Sequence, residues 1–107
     1  MNVNVWALNK HRDIRHALLR LHAQLGTEAF LIDTATSPDP RTLYLLHKTD
    51  AGVRAWLHTL GQTQGHYGVH LEYPGTNSMD IHEDLSLNEL VRVMANHFDV
   101  PIIQPLS

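Results

Sequence analysis

Apolar positions along this chain switch between two periods. Residues 3–8, "VNVWAL", alternate, with Val3, Val5 and Ala7 to one side, which predicts an opening strand. Over "HRDIRHALLRLHAQLG" the residues Ile14, Ala17, Leu18, Leu21 and Leu25 recur at the spacing of one helical face, and Gly26 is placed to end the helix. "EAFLID" is a short apolar run, the Pro-rich "TATSPDP" is a stiff loop, and "RTLYLLHK" reads as the next strand. In "TDAGVRAWLHTLG" a cap at Thr49 or Asp50, a stripe of Val53, Trp56, Leu57 and Leu60, and a stop at Gly61 predict a second helix with Trp56 buried at its centre. "HYGVHLEY" alternates again, Tyr67, Val69, Leu71 and Tyr73 against His66, Gly68, His70 and Glu72. That pattern is a strand with one wet face. "TNSMDIHED" reads as polar loop with at most a short extended piece. "SLNELVRVMANHF" reads as a third helix, capped by Ser86 and Glu89 and striped by Leu87, Leu90, Val91, Met94 and Phe98. Pro101 and Pro105 keep the tail extended.

The resulting order, β-α-β-β-α-β plus a helix, predicts an α+β fold. Specifically, it predicts a split βαβ (ferredoxin-like) βαββαβ sandwich with an additional C-terminal helix and an extended tail, as a single domain over 1–107. The order is similar to that of ferredoxin-like and ACT-type regulatory modules, which bears on fold and fixes no function. "AFLI" and "LYLL" are apolar at both parities, so their strands are expected to be buried on both faces. Two helices cover one face. The other is left for the third helix, a second subunit, or both, and Phe30, Ile32, Tyr44 and Leu46 become the expected interface residues.

Composition narrows the function. The chain is 43% hydrophobic and 18% charged, in the range of an ordinary globular domain. It has no cysteine, which removes disulfides, thiolate catalysis and Cys-type zinc sites and suits a reducing cytoplasm. The start lacks a signal-peptide pattern, and no run of eighteen apolar residues predicts a membrane span. The net charge is −3, with the carboxyl half the more acidic. Lys10, Arg12, Arg15 and Arg20 cluster on the first helix, but Asp13 interrupts them, and they read as a solvated face rather than a nucleic-acid footprint.

Nine histidines are the chemical peculiarity. His66 and His70 share a side of their strand about 13 Å apart, too far for one metal ion held at about 2 Å from each ligand. His11 and His22 lie about 16 Å apart along their helix. A cluster of His70, Asp80 and His82 is the candidate for a metal-binding protein or hydrolase, with a histidine from another strand such as His47 as a further ligand. Its competing reading is an acidic loop leading into a helix N-terminus. No G-x-S-x-G, Walker or G-x-G-x-x-G pattern occurs. The expectation is a small cytoplasmic, non-catalytic module, without cofactor or bound metal, that associates with itself and contacts neither nucleic acid nor membrane. The histidines are expected to be solvated, and the alternatives are the histidine–aspartate site and a secretion-chaperone-like dimer.

Overall fold

A computed structural model describes residues 5–33, 35–36, 38–50, 52–76 and 78–104. Two helices, α1 (Arg12–Leu25) and α2 (Leu87–Phe98), bracket five strands: β1 (Leu31–Asp33), β2 (Thr42–Leu46), β3 (Arg54–His58), β4 (Tyr67–Glu72) and β5 (Met79–Leu85). The strands are consecutive and antiparallel in the order β1-β2-β3-β4-β5. The α+β class stands. The split βαβ connectivity does not, because no helix interrupts the strands.

The difference arises at residues 49–61. Their apolar positions fit a helical stripe, but they fit period two as well: Ala55 and Leu57 are fully buried, whereas Arg54 and Trp56 are only half-buried. Pairing on both sides decides between the two, since Trp56 is registered with Tyr44 of β2 and His70 of β4. The supposed helix cap instead closes a hairpin. His47 Nδ1 accepts from the Thr49 and Asp50 N–H groups, Asp50 Oδ1 accepts from Gly52 N–H, and the His47 N–H donates to Val53 O. Short polar side chains bonding to nearby backbone serve a turn as well as a helix start.

Two other segments depart from expectation. Val5–Ala7 is a single 3-10 turn instead of a strand, and residues 3 and 4 of that expected strand lie outside the described residues. The "MDIHED" stretch is most of a seven-residue edge strand. Only Leu85 of β5 is buried, so hydropathy gave little sign of it, and backbone pairing with β4 holds it in place.

Both long helices follow their sequence. In α1, Ile14, Ala17, Leu18, Leu21 and Leu25 are buried, and Gly26 takes a positive φ of 95° as its N–H donates to His22 O. Such a φ strains any side chain but is free for glycine. In α2, Ser86 and Glu89 form the reciprocal capping box, satisfying backbone donors at the first turn. Asp99 ends the helix in the left-handed conformation.

Both helices cover the same face of the sheet. Leu43, Leu45, Ala55, Leu57, Val69 and Leu71 join the α1 stripe and Leu90, Val91, Met94 and Phe98 in one core. Two polar ties fix the layers: Tyr67 donates to Asp13 O of α1 at 3.2 Å, and His97 Nε2 of α2 meets Arg54 O of β3 at 2.8 Å. Among the described residues, neither long helix touches the other face. Described residues also include no helix long and apolar enough to cross a membrane.

Candidate association surface

Side chains alternate along each strand, so the strand register gives the composition of the helix-free face. One row runs Leu31, Leu46, Arg54, Glu72 and Met79; the next runs Asp33, Tyr44, Trp56, His70 and Ile81; a third contains Thr42, His58 and Gly68. Leu31, Met79 and Ile81 are exposed, while Tyr44, Leu46 and Trp56 are half-buried by their neighbours alone. Arg54 sits among them as part of a local network. Its Nη2 meets Glu72 Oε1 at 2.6 Å, and its guanidinium lies 4.7 Å from the centre of the Tyr44 ring. The face therefore mixes exposed apolar side chains with Asp33, Thr42, two histidines and a paired Arg54 and Glu72.

A group of rings occupies the middle. Trp56 lies 4.9 Å from both His58 and His70, and the two imidazoles are 5.4 Å apart and nearly perpendicular. His58 is only 4% exposed, although it belongs to the open face. It lies against Gly68, where a Cβ would collide with its Cε1 and Nε2. Its Nδ1 accepts from the Leu60 N–H at 3.1 Å, so in the neutral ring the hydrogen is on Nε2. That Nε2 is buried and has no hydrogen-bond partner. Burial pushes the His58 pKa down, the neighbouring His70 adds to this, and Glu83 opposes it.

The sheet edges are less inviting. The β1 edge is three residues long, and Asp33 turns the chain away by accepting from the Ala35 and Thr36 N–H groups. The β5 edge carries Asp80, His82, Glu83 and Asp84, and Asp84 holds a positive φ of 57°. Short or charged edges, kinked by irregularity, resist pairing with another strand.

The residues singled out from sequence divide between the two faces. Phe30 is 3% exposed and packs between His22 and Phe98, so it belongs to the core. Ile32 is registered with the fully buried Leu45 and faces the helices. Tyr44 and Leu46 lie on the open face. His70 lies there too, but Asp80 and His82 are registered with Leu71 and Val69 on the helix side. The proposed three-residue site is thus split across the sheet, and Asp80 instead accepts from the Tyr73 hydroxyl at 2.7 Å. Among the described residues, no three potential ligands are grouped to hold a metal ion. His66 faces Asp84 at 3.9 Å, away from the ring group.

The histidines are not uniformly solvated. His58 and His97 are buried, and burial lowers the pKa of both and of the half-buried His22. The basic side chains of the α1 region are engaged locally: Lys10 with Asp39 O, Arg15 with Trp6 O, and Arg20 with Asn88 Oδ1. Trp56, His58, Met79 and Ile81 are the surface residues that sequence reasoning missed. Met79 and Ile81 were detectable, since they alternate with Asp80 and His82 within the presumed loop. Compared with protein-family models, curated proteins and solved structures, the chain has no significant match in any of the three.

Proposed function

We propose that the chain is a non-catalytic cytoplasmic α+β module that works by association through its helix-free sheet face, and that its first partner is a second copy of itself. The observation that supports this reading is the row Asp33, Tyr44, Trp56, His70 and Ile81 beside the row that ends in Leu31 and Met79, a surface whose exposed apolar side chains have no covering layer among the described residues. Exposed apolar side chains such as Leu31, Met79 and Ile81 gain by leaving water, at about 25 cal/mol for each Å² removed. A second copy supplies the same surface, and a two-fold axis lets it meet itself.

Size sets the expected strength. Five strands about 4.8 Å apart and about five residues of about 3.3 Å rise give a face of roughly 24 by 17 Å. That is a small footprint beside interfaces of about 800 Å² per partner, so the dimer is expected at micromolar rather than nanomolar concentration. The blunted edges favour face-to-face stacking over extension of the sheet.

Light scattering at tens of micromolar, near neutral pH, tests the reading. The expected mass is twice that of the 12.1 kDa chain. A mass of one chain throughout the concentration range overturns it.

A further inference from the structure

We infer that the cavity between the start of α1, Arg41 and the β3–β4 loop binds a phosphomonoester, its phosphate held by Arg12, Arg41, His11 and Thr59. The inference goes beyond the association reading and does not rest on it.

Backbone bonds tie the three segments together. The His11 N–H donates to Pro40 O at 2.8 Å, and the Thr59 N–H donates to Arg41 O at 3.1 Å. The turn after β3 closes as the Gln62 N–H donates to Thr59 O at 3.2 Å. Between them lies a cavity of about 490 Å³, lined by residues 11–13, 41, 59 and 62–64. Small-molecule sites span about 300–1,000 Å³ and are mostly apolar, whereas every residue lining this one is polar or charged. The fitting ligand is therefore small, polar and charged.

The donors in the cavity outnumber its acceptors. His11 Nδ1 accepts from the Asp13 N–H at 3.2 Å, so in the neutral ring the hydrogen is on Nε2. That Nε2 lies 3.4 Å from Arg41 Nη2, which carries hydrogens only. Two donors thus face one another, and an oxyanion oxygen bridging them satisfies both. Thr59 is only 6% exposed. Its Oγ1 accepts from Arg41 Nη1 at 3.3 Å, while its own hydroxyl hydrogen has no acceptor among the described residues. Arg12 forms no hydrogen bond or ion pair among the described residues. A guanidinium fixed by one bond and open on its other edge suits phosphate oxygens. The helix end itself adds little, because His11 already takes the Asp13 N–H.

One carboxylate opposes the anion. Asp13 lines the same cavity, its Oδ2 3.7 Å from His11 Nδ1. Two guanidinium groups against one carboxylate leave a net charge of +1 with His11 neutral. These groups are largely solvated, so inorganic phosphate alone is expected to bind at millimolar concentration and low ionic strength. The rest of the cavity supplies the carrier's contacts. Gln62 is occupied, accepting from the Asp84 N–H and donating to Leu60 O. The Thr63 and Gln64 side chains are exposed and make no hydrogen bond among the described residues, which leaves them for the hydroxyls of a carrier.

Amide NMR titration of the full chain with inorganic phosphate and with glycerol 3-phosphate, against sodium chloride at matched low ionic strength, tests the site. The expected result is a saturable shift confined to residues 11–13, 41 and 59–64, with the monoester binding more tightly. Arg41→Gln should weaken binding by about tenfold, the loss of one charge-assisted contact. Arg20→Gln, which removes the same charge farther along α1, should leave binding unchanged. Asp13→Asn should tighten it several-fold, which keeps the test decisive should Arg41→Gln fail to fold. No saturable shift with either anion overturns the site. Equal weakening by Arg41→Gln and Arg20→Gln, or weaker binding by Asp13→Asn, overturns it in favour of diffuse attraction. Phosphate binding without any gain for the monoester overturns the assignment of ligand class.

Discussion

The imidazole of His58 rests on the bare Cα of Gly68, its partner in the β3–β4 register, and no other residue at 68 leaves room for it. Gly68 has an ordinary strand φ, so the requirement comes from this close approach and not from the backbone. Gly68→Ala should then cost about 1–3 kcal/mol through overpacking. The check is a double-mutant cycle by urea unfolding. Once His58→Ala clears the space, Gly68→Ala should become neutral or mildly stabilising, since alanine narrows the unfolded ensemble. Equal costs in both backgrounds would mean that the ring and the glycine are not coupled.

Adjacent residues of β3 should respond very differently to truncation. Leu57 is fully buried under the helices, and Leu57→Ala should cost about 2–5 kcal/mol. Trp56 points to the open face, so Trp56→Ala should cost the monomer clearly less, about 1–2 kcal/mol from its cross-strand ring contacts. Measured at a concentration dilute enough to keep the protein monomeric, the reverse ranking would place Trp56 in the core.

How this strand was misread shows what sequence carries. Both helices and the β4 strand were legible because each has one strongly favoured period and a cap or breaker at its end: Gly26 after α1, the Ser86–Glu89 box before α2, and Pro74–Gly75 after the β4 segment. Residues 53–60 satisfy both periods, and only their pairing with Tyr44 and His70, far apart in sequence, separates them. For β5 the difficulty was different, since an edge strand needs little burial and its charged residues look like loop. The ring group was invisible for the same reason as β3: once 49–61 is read as helix, Trp56 and His58 cannot share a face with His70.

Acid should weaken the fold, in a direction set by three histidines. Burial lowers the pKa of His58, His97 and His22 in the folded chain. As pH falls below about 6.5, the unfolded chain therefore binds protons first, and stability drops until the folded-state pKa values are reached. The slope is at most about 1.4 kcal/mol per pH unit for each histidine involved. Urea midpoints should thus be lower at pH 5.5 than at pH 7.5. Midpoints that stay level, or rise, would show histidines as free in the fold as in the unfolded chain.

The α2 capping box makes a local prediction. Ser86 accepts from the Glu89 N–H at 3.2 Å while Glu89 accepts from the Ser86 N–H at 3.0 Å. Ser86→Ala should cost about 1 kcal/mol, measured as a lower urea midpoint with an unchanged slope. No change would mean that water satisfies that donor equally well.

Ile81 and Ile103 allow the most direct test of the association face. Both are 58% exposed, but Ile81 lies on the open sheet face, whereas Ile103 sits in the tail that donates its N–H to Gln24 O at the end of α1. A glutamate at either position adds the same charge to an equally exposed site. Sedimentation velocity of the wild type, Ile81→Glu and Ile103→Glu at tens of micromolar and neutral pH separates the two surfaces. The account predicts a dimer for the wild type and Ile103→Glu, and a folded monomer for Ile81→Glu. A wild-type monomer, or a dimer that Ile81→Glu leaves intact, would contradict it.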